Sequence, residues 1–195
     1  MLKLGRILIA TALLTPGAVA QAHDQPLFAA FKEFCINTGA QAAAVKSAVE
    51  AAGGKQHAAG ATAQPFPMAV TTWDITVGGA SLNISAGIQQ VPAVQSRAEA
   101  NSSQCGVTIF VNDDASIEAL GNWVGVPPGH VLRGNPTMYF FDYQEQGSVR
   151  SATPLAGSDY DIAMADGRLW SLVVLQSQDG ASVQLVHHLA SSIPH

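Results

Sequence analysis

The hydrophobic period changes along this chain near residue 60, and that change limits the fold class more than any other feature. Phe28, Phe31 and Phe34 repeat at i, i+3 and i+6, and Ala42, Val45, Val49 and Ala52 continue a helical stripe until Gly53 and Gly54 end it. From Met68 the period is two. Trp73, Ile75 and Val77, then Leu82, Ile84, Ala86 and Ile88 beyond Gly78-Gly79, alternate with polar or small residues as the strands of a hairpin do.

The first part reads as two helical pieces, Gln25 to Phe34 and Gly39 to Ala52, with Asn37 or Thr38 capping the second. Lys55 to Pro67 lacks periodicity and reads as an exposed loop in which His57 is solvated. Cys105, Val107, Ile109 and Val111 form the next inward row of a strand. One helical pattern interrupts the sheet: Ala115 to Val124, capped by Asp113 or Asp114, with Ile117, Leu120 and Trp123 on one side and Gly125 after it. Val126 to Pro136 is dense in Pro and Gly and reads as a rigid connector, although His130 and Arg133 within it could together receive a small anion. Thr137 to Glu145 places Tyr139, Phe141 and Tyr143 on one strand face, with Val149 to Pro154 as its partner. Asp166-Gly167 and Asp179-Gly180 are preferred type I′ turn pairs, so Tyr160 to Ala165, Arg168 to Gln178 and Ala181 to Leu189 are expected to run up, down and up. The predicted fold is α+β: an antiparallel, largely meandering β-sheet with an N-terminal helical segment packed on it and one short inserted helix.

Lys3 and Arg6, the apolar run Ile7 to Leu14 and the small residues Ala18-Val19-Ala20 read in order as a signal peptide over residues 1–20, leaving one domain over 21–195. A second cut, after Ala22, would leave His23 first. The apolar run is too short to cross a bilayer, so no membrane span is expected in the mature chain. Two of the nine basic residues leave with this segment; the remaining seven face fourteen acidic ones, and the formal charge moves from −5 to −7. Nucleic acid and anionic lipid, which need a basic surface, are thereby disfavoured as partners. Export to a periplasmic or secreted location is oxidising, and there the only two cysteines, Cys35 and Cys105, are expected to pair. Such a bond closes a loop of about 70 residues, worth roughly 4 kcal/mol in the chain-entropy account.

The order of signal segment, Phe31-x-x-Phe34-Cys35, a Thr38-Gly39 helix start and an Ala-rich helix ending at Gly53 resembles the opening of uncharacterised exported proteins of alphaproteobacteria. Those proteins follow that glycine with Trp, where this chain has Gly54. The resemblance implies export and no reaction, cofactor or catalytic residue.

The nucleophile-elbow, zinc-protease, Walker, dinucleotide and EF-hand patterns are absent. Asp159, Asp161 and Asp166 lack EF-hand spacing and read as strand and turn residues. With a stapled scaffold and no reactive constellation, the expected function is that of a non-enzymatic periplasmic binding or envelope-associated protein without catalytic, metal or cofactor residues. Two alternatives carry residues. A mature N-terminal His23 could chelate copper with His187 or His188 as a further ligand. If both Asp-Gly turns are two-residue loops, Ser171 stands opposite both Ile162 and His188, the start of a nucleophile and base pair for a serine-dependent hydrolase. The same register puts Asp161 on the other face, beside Leu172 and His187, with no acid to orient the histidine.

Overall fold

The computed structural model describes residues 25–57, 68–91, 100–153 and 158–190. Residues 1–20, expected to be a signal segment, and His23 lie outside the described residues. Helix α1 (Pro26–Ala30) continues without a break into a π-helical turn, Phe31–Ile36, and α2 (Ala42–Ala51) follows. The strands are β1 (Lys55–Gln56), β2 (Met68–Val77), β3 (Ala80–Val91), β4 (Ala100–Ile109), β5 (His130–Leu132), β6 (Thr137–Gln146), β7 (Val149–Ala152), β8 (Leu169–Gln176) and β9 (Ala181–Ala190). Helix α3 (Asp114–Val124) is inserted after β4, and α4 (Ser158–Ala165) precedes β8.

All the strands pair antiparallel in one sheet of order β1-β2-β3-β4-β9-β8-β6-β5, with β7 also on β6. This is the predicted α+β class. The chain meanders through β1 to β4, but the last strand returns to the middle and joins β4 to β8. Phe31, Phe34, Val45 and Val49 of the helical segment are buried against Trp73, Ile84, Val107, Leu172 and Val183, so one sheet face and the N-terminal helices share a single core. Cys35 and Cys105 are bonded within that core, their Cα atoms 5.3 Å apart, which ties the π-helical turn to the sheet's centre. Among the described residues no helix is long and apolar enough to cross a membrane.

Two helix starts are satisfied by one carboxylate. Asp113 accepts from the Ser116 backbone N–H at 3.0 Å, capping α3 as expected, and also from the Ser116 hydroxyl at 2.6 Å and the Leu27 N–H at 3.4 Å. The Ser116 hydroxyl oxygen in turn accepts from the Phe28 N–H at 3.1 Å. The first-turn donors of α1, which have no partner inside their own helix, are thus met by the start of α3. The expected cap of α2 is not made. Thr38 instead donates to the carbonyls of Phe34 and Cys35, closing the π-helical turn, and Gln41, at the N-cap of α2, makes no side-chain cap.

One expected strand is a helix. Tyr160 to Ala165 is not a strand but part of α4, and Asp166-Gly167 is the end of that helix. Gly167 has φ +65°, its N–H bonds the Met164 carbonyl and the Arg168 N–H bonds the Ala163 carbonyl, the paired bonds of a Schellman stop. A type I′ turn and this stop both require a residue at positive φ, so Asp-Gly suits either. The Asp179-Gly180 turn does join β8 to β9, but as a four-residue loop with Gln176 facing Ala181. Ser177 holds it, its N–H and hydroxyl both donating to the Gly180 carbonyl. Gly180 is there for space: a Cβ would run into the Ile109 carbonyl oxygen of β4. Two further expected loops contribute strands. Lys55 and Gln56 pair with Asp74 and Trp73, and His130 to Leu132 pair with Phe140 to Met138.

Candidate functional site

Alternation sends Leu169, Ser171 and Val173 of β8 to the sheet face opposite the N-terminal helices. On that face Leu169 is buried with Ala163 and Met164, so α4 covers this end of it. The four-residue loop shifts the β8–β9 register by two from the expected one: Ser171 faces Val186, and His188 faces Leu169. A shift of two preserves the face, and a diagonal neighbour is still within reach of an imidazole. The Ser171 hydroxyl accordingly lies 2.8 Å from His188 Nε2. Ser171 does not oppose Ile162, which belongs to α4.

Two groups that were not anticipated complete the arrangement. Asp142, directly across from Ser171 on β6, has Oδ1 2.5 Å from the Ser171 hydroxyl. Ser102, directly across from His188 on β4, has its hydroxyl 3.1 Å from Nδ1. Thr153 backs Asp142 on the other side, donating its backbone N–H to the Asp142 carbonyl. The result is a row running Ser102, His188, Ser171, Asp142 across four adjacent strands.

The proton positions follow from donor counting. A carboxylate only accepts, so Ser171 gives its single proton to Asp142, and His188 must then donate from Nε2 to the Ser171 oxygen. That leaves Nδ1 as the acceptor for the Ser102 hydroxyl. Every group is satisfied with His188 neutral, and burial, with His187 nearby, pushes its pKa down to about 4. In a catalytic triad the carboxylate holds the histidine and the histidine takes the nucleophile's proton. Here the carboxylate holds the serine. Among the described residues, the hydroxyl whose proton points at the histidine lone pair is that of Ser102, which is fully buried.

The other singled-out residues do not converge. His187, adjacent to His188, projects to the opposite face, where it stacks on Trp170 and its Nε2 bonds the Gly167 carbonyl at 2.7 Å. The pair therefore cannot clasp one ion, and among the described residues no three His, Cys, Asp or Glu side chains gather as metal ligands. His130 and Arg133 are exposed at and beyond the edge strand β5, with His130 beside Phe140. Asp166 pairs with Arg168 at 2.7 Å beyond the end of α4, while the side chains of Asp159 and Asp161 lie outside the described residues. His57 is not merely solvated: it meets Asp74 at 2.6 Å, and this bond, with a second from Asn83, lowers the Asp74 pKa.

Asp142 was legible as a residue on the face opposite Tyr139, Phe141 and Tyr143, but nothing local names β8 as its neighbour. Ser102 carried no signal at all, because its partner His188 comes 86 residues later in the chain and reaches it only when the last strand inserts beside β4. Comparison with family models, with curated proteins and with solved structures found no match to this chain.

Proposed function

We propose that this protein is a non-catalytic binding or envelope-associated module that works in an oxidising compartment outside the cytoplasm. The observation that carries the reading is the proton routing at Ser171. Its hydroxyl is spent on Asp142, and the histidine beside it is a donor to it rather than a base for it. The row is a fully paired structural network, of the kind that specifies how strands align when each member is satisfied. The Cys35–Cys105 bond supports the oxidising compartment, since a disulfide inside the core persists where thiols are not kept reduced.

Pull-down from periplasmic extract by the oxidised protein, read by mass spectrometry, is expected to retain a partner. A fluorophosphonate probe is expected to label neither Ser171 nor Ser102. Labelling of either serine, or turnover in a hydrolase screen that Ser171→Ala abolishes, would replace the module with an enzyme.

A further inference from the structure

The chain carries the dipeptide Asp-Gly twice, at Asp166-Gly167 and Asp179-Gly180, and the fold leaves the reacting groups free only at the second. In such a pair the aspartate carboxyl lies within reach of the next residue's backbone nitrogen, and a glycine has no side chain to keep them apart. Ring closure between them needs an unengaged carboxyl, an unengaged glycine N–H and a peptide unit able to turn.

At Asp166-Gly167 each of these is engaged. Arg168 Nε and Nη2 both donate to Asp166 Oδ2, at 3.1 and 2.7 Å. The Gly167 N–H donates to the Met164 carbonyl at 3.0 Å, and the Gly167 carbonyl meets His187 Nε2 at 2.7 Å. The glycine is thereby fixed at the stop of α4 with φ +65°.

At Asp179-Gly180 the same atoms are idle. Asp179 is exposed, and among the described residues its carboxylate accepts no hydrogen bond and makes no ion pair. The Gly180 N–H and the Asp179 carbonyl, the two polar groups of the peptide unit between them, likewise meet no described residue. The loop is held through other atoms. The Ser177 N–H and hydroxyl donate to the Gly180 carbonyl at 2.9 and 3.0 Å, and the Asp179 N–H reaches the Ser177 hydroxyl at 3.3 Å.

We propose that Asp179-Gly180 is a site of spontaneous covalent modification, at which Asp179 converts to isoaspartate through a succinimide while Asp166-Gly167 is protected by the fold. The Gly180 nitrogen attacks Asp179 Cγ; the nitrogen loses its proton and the carboxyl, in its acid form, loses its hydroxyl, together one water. Solvent water then adds to the backbone carbonyl carbon of Asp179 and breaks its bond to the Gly180 nitrogen, which takes the proton. The chain now runs through Cβ and Cγ of residue 179, and the former backbone carbonyl is a free carboxylate. Addition at Cγ instead restores aspartate. The product has one more carbon in the backbone of the loop that sets the β8–β9 register. Gly180 has no space to give beside the Ile109 carbonyl oxygen, so the modified loop holds β9 against β4 less firmly.

The test is prolonged incubation of the oxidised protein at neutral pH in heavy-oxygen water, folded and in urea, followed by proteolysis and mass spectrometry of the peptides containing residues 166 and 179. Incubation continues until the urea sample has converted at both sites. In the folded protein isoaspartate and one heavy oxygen are expected at residue 179. Residue 166 should lag about tenfold or more, because it reacts only from an opened state that has lost several hydrogen bonds. In urea the two sites should convert at similar rates. Equal conversion of both sites in the folded protein, or a residue 179 that stays unconverted while folded, overturns the proposal.

Discussion

Acid should weaken this protein through His188, and the amount follows from its surroundings. The ring is neutral in the fold, accepting from Ser102 and donating to Ser171, with a pKa of about 4 against an ordinary 6.5. Protonation would turn Nδ1 into a donor facing the hydroxyl of a fully buried serine. Between these two pKa values the unfolded chain binds a proton that the folded chain does not, so stability falls as pH falls. The contribution is fully present above about pH 6.5 and is lost progressively down to about pH 4, where both states are protonated. From neutral pH to about pH 4.5 the loss is about 2 kcal/mol, a large part of the roughly 5–15 kcal/mol of a typical domain. Urea unfolding of wild type and His188→Gln at both pH values isolates it. Carboxylates titrate alike in both proteins, whereas the amide can hydrogen-bond but cannot titrate. Wild type should lose about 2 kcal/mol more than the variant on acidification. Parallel losses, or an NMR titration of His188 with its midpoint near 6.5, would refute the reasoning.

Cys35→Ser with Cys105→Ser should cost about 4 kcal/mol by the entropy of a 70-residue loop, seen as a lower urea midpoint that reductant no longer changes. Asp113→Ala removes the acceptor shared by the starts of α1 and α3 and should cost about 2 kcal/mol; Asp113→Asn, which keeps one acceptor oxygen, should cost less in the same unfolding assay. Gly180→Ala drives a methyl into the β4 backbone at Ile109 and should cost about 1–3 kcal/mol, whereas Gly121→Ala, where a Cβ meets nothing, should be neutral or slightly stabilising by thermal melting.

The sequence by itself determined the elements whose evidence is local. The alternation of Trp73, Ile75 and Leu82, Ile84 around Gly78-Gly79 specified the first hairpin, whose Val77 faces Ala80 as expected. The Asp113 cap and Gly125 stop specified α3, because a helix end is a matter of a few adjacent backbone groups. The pairing of Cys35 with Cys105 was legible because they are the only two cysteines of the sequence. Where one local signal serves two structures, tertiary contacts chose between them. Asp166-Gly167 provides a positive φ and nothing more, and the burial of Ala163 and Met164 on Leu169 made it the end of a helix rather than a hairpin. The pair of Ser171 and His188 was legible because strand parity survives a register shift of two. Their roles were not, since these depend on which strands lie beside them. Asp142 reached Ser171, and Ser102 reached His188, only when β6 settled against β8 and the last strand closed against β4. Those choices are made by the burial of whole faces, which no short stretch of chain encodes, and they decide which atom each proton points to.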